Sequence, residues 1–302
     1  MRLGAHVARA REREDIDDAT RQASRSAVPL REREQQEAEQ RAAVRAPVVH
    51  EAIRLEGIEE LARPTSALWW SGLAAGLSMG FSLVIQGALH VALPDEPWRV
   101  LIERWGYALG FLIVVLGRQQ LFTENTITPV LPVLTRPTRA MLRDMLRLWV
   151  VVLVANLVGA LGVALVLAHA DAFGASVREA YAHIGQLAIS GTPTTHFIGG
   201  VFAGWLLATM VWLLPGAPQS RFAVIAFVTY AIGIAGFSHI VAGAVEVFYL
   251  VVAGARSPLD FFVWGIPTLA GNILGGVALV AALMHGQVVA GAGDQDQPAT
   301  KR

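Results

Sequence analysis

The sequence predicts an all-α, polytopic membrane protein: six transmembrane helices in an inverted 3+3 repeat, with the second and fifth helices broken. Three observations carry that prediction. Hydrophobic residues make up 54% of the 302-residue chain and charged residues only 16%, against a charged share of roughly 25% in soluble domains, and mean hydropathy is +0.49. From Ala67 onward the apolar runs reach the length of about 20 residues that crosses a bilayer. The two halves of that apolar region also repeat each other.

Residues 1–66 stand apart. Stretches such as "REREQQEAEQRAAVR" mix arginine and acid among helix-forming residues, which favours a solvated or frayed helix over a packed domain. The charged start is not followed by an apolar run with a cleavage site, so it does not read as a signal peptide. Spans are expected near 67–91, 98–134 (interrupted), 146–169, 196–215, 221–253 (interrupted) and 261–285, with a second tail at 286–302. Trp69, Trp70, Trp98 and Trp149 fall at span ends, where indole rings favour the interface. Trp205 and Trp212 lie deeper and are expected to pack inside.

Orientation follows from the loops. Arg136, Arg139, Arg143 and Arg147 separate the second and third spans on the side of the arginine-rich tail, which places that side and both termini in the cytoplasm of a bacterial-type inner membrane. The formal net charge of +0 leaves no basic surplus for nucleic acid. The absence of cysteine removes disulfides, thiolate metal sites and cysteine nucleophiles, and no cofactor is expected.

The repeat explains the interruptions. "ANLVGALGVALVLAH" ends at His169 and "GNILGGVALVAALMH" at His285, matching Asn156 with Asn272 and Gly159 with Gly275; "GLAAG" at 72–76 likewise matches "GVFAG" at 200–204. Each unit has three crossings, so the second must be inserted upside down. The second and fifth spans become partners, one breaking at "RQQLFTEN" and the other at "GFSHIVAG". As a continuous helix, residues 221–253 would extend about 50 Å at 1.5 Å per residue, well beyond the hydrocarbon core of about 30 Å. Unwound backbone cannot face lipid, so both breaks belong inside the protein or along an aqueous path.

"LFT" at Leu121, Phe122 and Thr123, "GFSH" ending at His239, and the Gly-Asn pairs "VANLVGALG" and "GNILGG" resemble the formate/nitrite transporter family over about residues 67–285. The resemblance implies an aquaporin-like fold, a homopentamer in the lipid bilayer with one pore per protomer, and a small-molecule substrate. It gives Leu121 and Phe122 a constriction role and Thr123 a polar contact beside the central His239. The family's lysine position holds Thr192 and its asparagine position Ala208, while Arg118, Gln119, Gln120 and Glu124 stand where the family has small or acidic residues. The chain's lysine, Lys301, lies in the tail. This is a divergent member by its motifs.

Read from the residues alone, His239 is a midplane ionisable group and hence a pathway candidate. Arg118 and Glu124 are close enough in sequence for an ion pair, the arrangement that spares an isolated intramembrane charge, although a free Arg118 facing the path stays open. Glu246, seven residues after His239, falls on the same face if one helix carries both. The expected function is passage of a small solute, either a small monovalent acid such as formate or nitrite, crossing as the neutral acid, or a neutral or cationic species such as ammonia. A non-conducting structural membrane protein is the further alternative. An intramembrane hydrolase would rest only on adjacent Ser238 and His239, without a nucleophile elbow.

Overall fold

Helix-forming apolar runs, capped by Thr138, Thr192 and Ser257, organise the chain. The computed structural model describes residues 44–295, so residues 1–43 and 296–302 of the two expected tails lie outside the described residues. The described residues form eleven α-helices and no strand. They are α1 (Ala46–Ala62), α2 (Thr65–Ala92), α3 (Arg99–Leu116), α4 (Val130–Thr135), α5 (Arg139–His169) and α6 (Ala175–Ile189). After these come α7 (Pro193–Leu213), α8 (Arg221–Ala235), α9 (Ala242–Val252), α10 (Pro258–Ile273) and α11 (Ala282–Gln295). A π-helical stretch, Leu274–Ala281, joins the last two.

Four stretches are long and apolar enough to cross a membrane: Thr65–Ala92, Arg139–His169, Pro193–Gly216 and Pro258–Ala290. Between α3 and α4 the chain leaves the α-helix over 117–129, and between α8 and α9 over 236–241. The outward faces are apolar, with Trp70, Phe227 and Ile266 each more than 60% exposed. Trp205 also faces outward, stacked on Phe202, rather than packing inside as its depth in the sequence suggested.

Two helices lie where no span was expected. The charge-dense α1 carries a buried stripe at Val49, Ile53 and Leu61, which packs with Ile127, Leu131, Met145 and Ala208. In α6, Tyr181 and Ile184 are buried and join the main core. The backbone of α1 closes on the Thr128 carbonyl at Gly57, and that of α6 closes on the Glu246 carbonyl at Gly185.

The close pairs α2 with α5 and α7 with α10 depend on small residues. A Cβ at Gly76 would meet the Asn156 carbonyl, and one at Gly204 the Asn272 carbonyl. Only glycine admits that approach.

Candidate functional site

The two non-helical stretches, 117–129 and 236–241, are breaks in the chain's helical course, and both begin with the same backbone device. Phe237 N–H donates to Ile232 O at 3.1 Å and Gly236 N–H to Gly233 O at 3.2 Å, with Gly236 left-handed at φ 66. In the first half Gln119 N–H donates to Val114 O at 3.0 Å and Arg118 N–H to Val115 O at 3.2 Å, with Arg118 at φ 50. These are helix ends closed by a left-handed residue. Arg118 stands where glycine is the residue at ease, at a cost of about 1–2 kcal/mol.

That backbone corrects the expected Arg118–Glu124 pair. The left-handed turn carries the Arg118 side chain outward, and its Nη2 donates to Glu56 Oε1 of α1 at 2.8 Å. Glu124 has no side-chain partner among the described residues, and it lines a cavity of about 450 Å³ together with Glu56, Glu60, Arg118, Gln120 and Arg221. Gln120 Nε2 donates to Glu60 Oε2 at 2.6 Å, a second tie between α1 and the break. Burial pushes the Glu60 carboxyl above its ordinary range, against the pull of Arg63 and Gln120.

Two asparagines hold the breaks in place. Asn156 Oδ1 accepts from Phe122 N–H at 2.9 Å, while Nδ2 donates to Gly72 O at 2.7 Å and Gln120 O at 2.9 Å. Asn272 Oδ1 accepts from Ile240 N–H at 2.9 Å, while Nδ2 donates to Gly200 O at 2.8 Å and Ser238 O at 3.0 Å. One amide thus satisfies an N–H and a carbonyl of the non-helical stretch and ties them to a carbonyl of a continuous helix, α2 or α7, in each half alike. The sequence comparison paired the two asparagines without revealing this task.

The breaks meet at one hydrogen bond. Thr123 Oγ1 lies 2.8 Å from His239 Nε2, and Ala242 N–H, at the start of α9, donates to His239 Nδ1 at 3.0 Å. An imidazolium has donors at both nitrogens, so an accepting Nδ1 marks the neutral ring with its proton on Nε2, directed at Thr123. Both nitrogens are therefore engaged, and neither is left for the Ser238 hydroxyl as a hydrolytic dyad needs. Leu121, Phe122 and Thr123 are at most 1% exposed. The Phe111 ring stands edge-on to His239 at 5.0 Å, and Phe122 packs against Trp149. Phe111 escaped the sequence reading because nothing marks one phenylalanine within an apolar run.

On the other side of this contact lies a cavity of about 610 Å³, lined by His239, Glu246, Arg104, Thr192, His196 and Trp264 among others. The two cavities open toward opposite ends of the same helices: α8 contributes Arg221 to the smaller and Ile232 to the larger, and α3 contributes Val115 and Arg104 respectively. Glu246 and His239 share the larger cavity although His239 precedes α9, so one continuous helical face is not what aligns them. Thr192, at the place of the family's lysine, caps α7 by accepting from Thr195 N–H at 3.2 Å.

Comparison with known proteins bears directly on this geometry. The formate/nitrite transporter family model matches residues 47–286. The inner membrane protein YfdC of Escherichia coli (strain K12) is 43% identical over 252 residues, covering 83% of this chain and 81% of that protein. Among solved structures, an FNT family ion channel superposes with a TM-score of 0.70 at 19% identity, over 80% of this chain and 98% of its own. A pentameric formate channel with formate bound gives 0.62 at 20% identity, over 74% and 98%. At these identities the two structures speak for the fold alone.

Proposed function

The chain belongs to the formate/nitrite transporter family, and from that premise we propose that it conducts a small monovalent acid or anion of the formate type across a bacterial inner membrane. The observation that carries the reading is the Thr123–His239 contact, in which His239 lines the larger cavity and the fully buried Thr123 lies between Gln120 and Glu124, which line the smaller one. Six crossings follow if α3 and α4 form one interrupted span and α8 and α9 another. The equivalent asparagine clamps support an inverted repeat, and likeness to a pentameric channel supports a homopentamer.

A bare anion in the apolar seal of Phe111, Leu121 and Phe122 loses its solvation at a cost of many kcal/mol, whereas its neutral acid loses far less. The seal offers little but the Thr123–His239 pair. His239 donates through Nε2–H, and the Thr123 hydroxyl keeps its own proton to offer, so a passing acid meets hydrogen-bonding groups without meeting a fixed charge.

A second reading is favoured by Glu246, a carboxylate only 6% exposed on the larger cavity, which suits a neutral or cationic solute such as ammonium. Flux into proteoliposomes of formate, nitrite, ammonium and water separates the two. Formate and nitrite should pass well above empty vesicles, and passage of ammonium alone would transfer the assignment to the second reading. Both termini are proposed to be cytoplasmic, from the arginines between α4 and α5. A reporter active only in the periplasm should stay silent when fused after Arg302, and activity there would reverse the topology.

A further inference from the structure

Arg104 is the single arginine among the residues lining the larger cavity, and no lysine lines it. Its guanidinium is held without being neutralised. Nη1 donates to Gln86 Oε1 at 2.7 Å, and Gln86, fully buried in α2, donates its own amide to Ser82 O at 3.2 Å. The adjacent Glu103 is occupied by His90 at 2.9 Å. No carboxylate of the described residues lies within ion-pair distance of Arg104. A guanidinium has five N–H donors, and a neutral amide uses one here.

Glu246 is its counterweight. It is buried on the same cavity, beside the amide of Gln86, and has no ion-pair partner among the described residues. A neutral glutamine therefore stands between the guanidinium of Arg104 and the carboxyl of Glu246. Trp264, also on the wall, keeps a buried indole N–H without an acceptor. One guanidinium and one carboxyl group thus share about 610 Å³ without pairing by contact.

We infer that Arg104 is the specificity-determining residue of the larger cavity, recruiting a small monocarboxylate or similar monovalent anion ahead of the seal, and that Glu246 opposes it. This rests on the reading of the solute as an acid or anion. Charge lining a low-dielectric cavity sets which ions gather in it, with effects of tenfold and more on local concentration and entry rate. Arg104 sits about 18 Å along the α3 axis from the end of that helix at 1.5 Å per residue, so it acts on entry and not at the seal.

The test is initial formate uptake into proteoliposomes at low and high ionic strength for wild type, Arg104→Gln, Arg104→Lys and Glu246→Gln. Arg104→Gln should lower uptake about tenfold at low salt and remove most of its salt dependence, Arg104→Lys should retain both, and Glu246→Gln should raise uptake. A merely structural arginine would not give effects of opposite sign with a shared salt dependence. Robust wild-type uptake that Arg104→Gln leaves unchanged would overturn the inference while sparing the proposed function. Wild-type vesicles that pass ammonium or water but no formate would overturn the proposed function and the inference with it. If Arg104→Gln does not assemble, uptake through Glu246→Gln no higher than wild type overturns the inference.

Discussion

The break before Leu121 and the break before His239 start from one construction and end in different chemistry. Each follows a helix closed by a left-handed residue, and each is pinned by one asparagine through three backbone bonds. At the left-handed position, however, one half has Gly236 and the other Arg118. The glycine half delivers the titratable ring of His239 to the centre. The arginine half delivers Leu121, Phe122 and Thr123 and ties itself to α1 through Arg118–Glu56 and Gln120–Glu60. The same asparagine clamp thus occurs twice, and the residues around it give one stretch a buried histidine and the other two ties to α1.

That equivalence can be broken most severely at the asparagines. Asn156→Ala and Asn272→Ala each strand a buried N–H and a carbonyl of non-helical backbone and remove a bond to a neighbouring helix, at a cost on the order of 3 kcal/mol. Thermal unfolding of the purified oligomers should show comparable, large drops for both variants. A loss confined to one would mean that the two clamps are not equivalent in strength. The smallest effect is expected at Arg118→Gly, which relieves left-handed strain of about 1 kcal/mol but removes the Glu56 tie, an exposed pair worth about 0.2–1 kcal/mol. The midpoint should stay level or rise slightly. A marked fall would give the arginine a structural weight beyond its visible contacts.

The long apolar runs made the four stretches able to cross a membrane legible, and the sequence matched the two asparagines that make equivalent hydrogen bonds, because both signals survive without knowledge of contacts. Much of α1 and α6 did not show. The stripe of Val49, Ile53 and Leu61 is diluted by Glu51, Arg54, Glu56, Glu59 and Glu60, and α6 has too few apolar residues to resemble a span. Among site residues, Leu121, Phe122, Thr123 and His239 stand out in the sequence and come together here. Arg118 and Glu124 were expected to pair because they are near in sequence. The left-handed backbone at Arg118 separates them, and no sequence signal announces a left-handed arginine.

The central claim is that solute crosses at the Thr123–His239 contact, and the most direct measurement is formate flux through His239→Phe beside wild type, in proteoliposomes containing equal amounts of intact oligomer. Phenylalanine keeps a ring against Phe111 but loses the Nε2–H donor and the Nδ1 acceptor. The account predicts flux reduced to that of empty vesicles, with the variant eluting at the wild-type oligomer size. Flux equal to wild type through an intact His239→Phe oligomer would contradict it and place the path elsewhere in the protein.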